Sequence, residues 1–151
     1  MGTGEPKSKK AVSAVALLFN SEGKILLVKP NYKDYWGMPG GEVEKNESPI
    51  SGCVREIKEE LSLTFEKKDI KFLSVDFVET GTTVFSGDAL RFLFVGGVLS
   101  LEQISAIKIQ ESELENMEFV NISELSKRLS PHASRRLVKS IEAYKSNKVL
   151  Y

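Results

Sequence analysis

The sequence predicts a single α/β domain in a layered α/β/α arrangement, and three observations predict it. Ala11 to Phe19 is a near-continuous apolar run, as expected of a strand buried on both faces. Further strand-like runs precede, follow and flank one strongly marked helix that starts at Ser48-Pro49, the mixed order of layered α/β domains. The chain has 151 residues, 41% hydrophobic and 28% charged, which is the length of one domain with ordinary globular composition.

The elements follow in order. Met1–Lys10 is rich in Gly, Pro, Ser and Lys and is expected to be a loose tail, leaving 11–151 as the domain. After the first strand, Asn20-Ser21-Glu22-Gly23 is turn chemistry and Lys24 to Lys29 a second strand, together a hairpin. Pro30 to Gly40 reads as a loop carrying Asn31, Tyr32, Tyr35, Trp36 and Pro39, ended by Gly40-Gly41. Ser48 is a helix N-cap with Pro49 at the first helical position, and the helix runs to about Leu61. Ile70 to Val78 and Leu90 to Val98 read as strands joined by a loop over Gly81 to Asp88. Leu101 to Gln110 fits either helix or loop. Met117 to Val120 is a short strand and Ile122 to Leu129 a short helix, and Ser130-Pro131 repeats the start signal for a last helix to about Lys145.

Charge and cysteine content narrow the function. Lys+Arg 21 balances Asp+Glu 21, so no basic excess points to a nucleic acid partner and none is expected. One cysteine excludes an internal disulfide framework, and one histidine with one cysteine excludes the usual zinc site. The longest apolar stretches, about a dozen residues, fall short of the ~20 that span a bilayer, and Met1–Lys10 has no apolar core of a signal peptide. A cytoplasmic protein without a membrane partner is expected.

Chemistry concentrates in Arg55-Glu56-Ile57-Lys58-Glu59-Glu60-Leu61. On a helix, Ile50, Cys53, Val54, Ile57 and Leu61 form the core stripe, whereas Glu56, Glu59 and Glu60, spaced i, i+3, i+4, cluster on an adjacent face. Two carboxylates ~6 Å apart repel by roughly 3 kcal/mol at an effective dielectric of ~20. A lone Glu-Glu pair reads as a solvated face, but three together call for a cation. With oxygen ligands alone, that cation is a hard divalent ion, Mg²⁺ or Mn²⁺. Arg55, four residues before Glu59, can fix its rotamer, and Glu47, just before the helix, can reach Arg55.

The spacing runs Gly41, five residues, Glu47, seven residues, Arg55-Glu56-Ile57, one residue, Glu59-Glu60, then Leu61-Ser62-Leu63. It resembles the Nudix box at every specified position except Ser62, where that family has Gly. Six Gly, Glu and Arg matches at about one in fifteen each coincide on the order of once in 10⁷ windows, so chance does not explain them. Trp36-Gly37-Met38-Pro39-Gly40-Gly41 resembles the family's lead-in, and Glu118-Phe119-Val120 with Ser123-Glu124-Leu125 resembles its last strand and short helix. A Gly at 62 would cap the helix in the left-handed conformation; Ser there costs ~1–2 kcal/mol, or the turn takes another shape.

The resemblance implies a Nudix-type α/β/α sandwich with a mixed β-sheet. It also implies Mg²⁺- or Mn²⁺-dependent hydrolysis of a nucleoside diphosphate linked to another group. Carried over, Glu56, Glu59 and Glu60 hold the metal, with the Gly40 carbonyl as a further ligand. Glu59 is the first candidate for general base and Glu56 the second, while Arg55 orients the glutamates and Glu47 braces it. A further Glu before the last strand is expected, and of Glu111, Glu113 and Glu115 the choice is Glu113.

Subfamily marks are absent: Phe77-Val78-Glu79 stands where ADP-ribose enzymes carry a proline and diadenosine-polyphosphate enzymes a tyrosine. A (d)NTP or modified nucleotide is therefore expected, with a nucleotide sugar or ADP-ribose, or a non-catalytic nucleotide sensor, as alternatives. Trp36, Tyr35 and Tyr32, with Phe77 and Phe85, are candidates for stacking on a base. Arg91 is a candidate for a phosphate contact, His132 reads as a helix-terminal surface residue, and Cys53 as an inert buried thiol. A monomer or homodimer is expected.

Overall fold

The computed structural model describes residues 9–79 and 88–147. Most of the expected tail, and residues 81–87 of the expected loop over Gly81 to Asp88, lie outside them. Six strands form one mixed sheet: β1 (Ala11–Phe19), β2 (Ile25–Pro30), β3 (Gly40–Glu42), β4 (Lys71–Val78), β5 (Ala89–Val98) and β6 (Leu114–Val120). Their order is β4-β5-β1-β2-β6, with β3 also paired to β1. β1 and β5 run parallel and the remaining pairs antiparallel.

Helices cover both faces, which explains the uninterrupted apolar run of β1. Ala14, Ala16 and Leu18 pack with Cys53, Ile57 and Leu61 of α1 (Pro49–Leu61). Val15, Leu17 and Phe19, pointing the other way, pack with Leu125 of α3 (Leu125–Arg128) and with Leu137 and Ile141 of α4 (Pro131–Lys145). Alternate residues of one strand thus feed two separate cores.

The ends of α1 and α4 follow from the sequence signals. The Ser48 and Ser130 hydroxyls accept from Ser51 N and Ala133 N at 3.3 Å each, with Pro in the first turn. Ser62 does adopt the left-handed conformation, at φ 61°, and its hydroxyl donates to Lys108 O at 3.1 Å. The ambiguous stretch after β5 resolves into α2 (Leu101–Ala106), started by a capping box in which Ser100 and Gln103 satisfy each other's backbone N–H groups.

Two expectations are corrected. Gly40-Gly41 does not merely end a loop but opens β3. The segment leading to it runs between β1 and β2: Val28 N donates to Gly37 O and Ala16 N to Pro39 O, both at 2.8 Å. The last strand begins at Leu114 rather than Met117, because its pairing with β2 extends from Val120↔Ile25 to Leu114↔Pro30.

Candidate active site

The segment between β1 and β2 opens a cleft of about 740 Å³. β1, β2, β3, β5, α1, the 32–38 loop, Glu113 and the start of α4 all line it. Gly40 and Gly41 are required by close approach. A Cβ on Gly40, whose φ is 145°, would lie 2.2 Å from Ala14 O, and one on Gly41 would lie 2.6 Å from Glu56 Cδ. Any larger residue at 41 displaces the Glu56 carboxyl.

Arg55 organises the helix carboxylates. Its Nε donates to Glu47 Oε2 at 2.8 Å and its Nη2 to Glu47 Oε1 and to Glu42 O, both at 3.0 Å. Its Nη1 donates to Glu56 Oε1 at 3.0 Å and Glu59 Oε2 at 3.2 Å. Glu47 is accordingly held below the usual carboxylate range by Arg55, and Arg55 above its ordinary value by Glu47 first. The expected brace of Arg55 by Glu47, and of Glu59 by Arg55, is present.

The glutamates occupy different environments. Glu60 is 4% exposed and accepts one hydrogen bond, from Gly40 N at 2.9 Å. Burial pushes its carboxyl up to about 8, with Glu56, Glu113 and Glu59 adding repulsion. Burial also raises Glu56 against the opposing pull of Arg55. Both line the cleft with Glu113, whereas Glu59, its side chain 46% exposed, turns to Arg55 outside it. Of Glu111, Glu113 and Glu115, Glu115 falls within β6 and pairs with Lys29 Nζ at 2.7 Å, and Glu113, just before the strand, is the one on the cleft wall. It also raises the neighbouring Tyr32 hydroxyl, with burial the larger cause.

Among the described residues, no three acidic, His or Cys side chains gather around one point that could hold a metal ion. Glu59 is engaged by Arg55 and does not line the cleft with Glu56 and Glu60. The donor chemistry nevertheless fits a hard divalent cation. Glu60, buried, and Glu56, half-buried, are oxygen donors, each raised by burial and by its acidic neighbours, and a cation bound there would offset that cost.

The family model for the NUDIX domain matches residues 9–141. The chain belongs to the Nudix family. Phosphatase NudJ of Shigella boydii is 29% identical over 134 residues, 87% of this chain and 82% of that protein. The m7GpppN-mRNA hydrolase of Saccharomyces cerevisiae is 28% identical over 127 residues, 80% of this chain; the match spans only 12% of the yeast protein. The crystal structure of a MutT Nudix hydrolase from Burkholderia pseudomallei superposes with a TM-score of 0.71 at 22% identity, covering 89% of this chain and 99% of that one. The Nudix α/β/α fold is thereby shown. Among the described residues no helix is long and apolar enough to cross a membrane.

The other expected site residues divide. Tyr32, Tyr35 and Trp36 line the Nudix cleft, but the Arg128 guanidinium lies 5.0 Å from the Trp36 ring centre and covers one face. Phe77 sits on β4 against Lys10 and does not line the cleft, and Phe85 lies outside the described residues. Arg91 lies on the cleft floor. His132 is not a simple surface residue: its Nε2 is 3.0 Å from Asp76 Oδ2, and it lines the cleft. Lys33, also on the wall, escaped the sequence reading. Neither residue has a local signal, since the Asp76 partner is 56 positions from His132 and Lys33 sits in a loop without periodicity.

Proposed function

We propose that this Nudix hydrolase cleaves a diphosphate bond in a small nucleoside diphosphate linked to a further group, most directly a (d)NTP or modified nucleotide, with Mg²⁺ or Mn²⁺. The observation that carries this is a set of mutually repelling carboxylates on the wall of one cleft: Glu60, which is buried, Glu56, which is half-buried, and Glu113, which is exposed. Glu56, Glu59 and Glu60 would hold the metal, with the Gly40 carbonyl as a further oxygen donor. A bound divalent ion polarises phosphoryl oxygens and acidifies water.

The chain's own residues do the rest. Arg55, braced by Glu47, fixes Glu56 and Glu59. Glu59 or Glu56 accepts the proton from the attacking water, and the position of Glu56 on the cleft wall favours Glu56. Glu113 faces them from the opposite segment. Tyr35 and the open face of Trp36 offer a surface for a base. No nucleophilic side chain is needed, because water attacks directly.

The test is hydrolysis with Mg²⁺ and with Mn²⁺ of (d)NTPs, oxidised dNTPs, ADP-ribose, nucleotide sugars and dinucleoside polyphosphates. Capped RNA joins the panel because one relative is an mRNA hydrolase. Metal-dependent turnover of one class supports the reading and names the substrate. Tight nucleotide binding with no turnover of any compound overturns it in favour of a sensor.

A further inference from the structure

The α4 side of the cleft carries polar groups that the hydrolytic reading does not use. Ser13 is the polar residue within the apolar run of β1. It is 5% exposed, lines the cleft, and its hydroxyl has no hydrogen-bond partner among the described residues. Its register partner on β5 is Arg91, whose buried Nε is likewise unpartnered. Arg91 is in turn register partner of Asp76 on β4. Asp76 is occupied by Arg136 Nε at 3.1 Å and His132 Nε2 at 3.0 Å. A row Ser13, Arg91, Asp76 therefore crosses three strands on one face.

A buried polar atom without a partner costs roughly 1–3 kcal/mol, and two side by side on a cleft floor point to an absent ligand. Arg91 Nε–H only donates and the Ser13 hydroxyl can donate beside it, so a ligand that satisfies both is an acceptor. Lys33 adds a cation. Burial lowers it first and repulsion from Arg91 second, against a weaker pull from Glu60, and burial lowers Arg91 against the pull of Asp76. Two desolvated cations in mutual repulsion want an anion between them. The first turn of α4, with Ser130 and His132 on the same wall, adds the positive end of a 15-residue helix. Asp34 and Glu42 also line the cleft and disfavour an anion beside them.

We propose that Ser13, Arg91 and Lys33 form a phosphoryl-binding site on the α4 side of the cleft, so that the substrate carries a second phosphoryl group besides the diphosphate held against α1. β5 lies two strand spacings from β3, ~10 Å by sheet geometry, which separates the two groups. The substrate consequence rests on the hydrolase reading; the phosphate site itself does not.

The experiment uses inorganic phosphate with the whole chain in EDTA at fixed ionic strength, where the acidic end repels anions. Thermal unfolding is followed as phosphate replaces chloride, with acetate as a second arm. A saturable rise in Tm with phosphate, absent with acetate and lost in Arg91→Met, is expected. Lys33→Met, in a loop, weakens the apparent affinity at least fivefold even if Arg91→Met fails to fold. No phosphate effect, an equal effect of acetate, or an equal effect in Lys33→Met overturns the site.

In a second arm, two nucleoside diphosphate compounds differing by one phosphate monoester are compared with metal present. At least a tenfold higher kcat/KM for the phosphorylated one, collapsing in Lys33→Met, is expected. An equal kcat/KM for the two compounds overturns the substrate claim. Phosphate stabilisation without hydrolysis of either compound supports the site and removes the hydrolase reading.

Discussion

Glu60 shows how one residue couples fold to chemistry. Its carboxyl is pushed up to about 8 by burial, against ~4.3 in an unfolded chain. Between those values the folded protein keeps a proton that the unfolded chain has released. The contribution to stability is therefore full below ~4.3 and is lost as pH rises through about 8. Metal-free wild type is expected to lose Tm between pH 5 and 9 more steeply than Glu60→Gln; equal slopes would contradict the assignment. The two glycines beside it separate strain from function. Gly40→Ala forces a Cβ onto Ala14 O and is expected to cost more than ~2 kcal/mol of stability. Gly41→Ala displaces the Glu56 carboxyl instead, with a small Tm change and at least a tenfold loss of kcat/KM. Similar Tm losses in both would contradict this division.

At the scale of elements, much was legible because the signals are local. β1 and α1 have the bounds that apolar runs and the Ser-Pro cap indicate. Gly40-Gly41 as a strand was not legible, since β3 exists only through pairing with β1. The left-handed Ser62 is an element-end compromise. Its strain of ~1–2 kcal/mol is offset by its hydrogen bond to Lys108 O, ~1 kcal/mol. Lys108 N and Gln110 N donate back to Leu61 O and Glu60 O at 3.0 and 2.9 Å, so the end of α1 is laced to the segment leading to Glu113. Ser62→Gly is expected to change stability by less than ~1 kcal/mol while increasing amide exchange over residues 108–113. Unchanged exchange there would show that the hydroxyl does not hold that segment.

The whole molecule brings together what no local pattern announces. Lys33, Arg91, Glu113 and His132 come from four separate segments and meet on one cleft only because β1 pairs in parallel with β5 and α4 packs across the sheet. The acidic motif was readable because all its members lie on one helix; the cationic wall was not, because its members meet through tertiary packing. Cys53 reports on the integrity of this assembly. It is fully buried on the sheet-facing side of α1, and burial pushes its thiol up to about 12. A maleimide is expected to leave the native protein unlabelled and to react at the rate of unfolding in denaturant. Rapid native labelling would mean that α1 opens independently of the sheet.

The most direct measurement is the turnover of the best panel substrate with Mg²⁺ present and after chelation, for wild type, Glu56→Gln, Glu59→Gln and Glu60→Gln, each checked for an unchanged fold by thermal unfolding. Turnover that requires the metal and falls at least a hundredfold in Glu56→Gln and Glu60→Gln is the expected result. Turnover that survives chelation, or persists in both of those variants, would contradict a catalytic centre built on the carboxylates of α1.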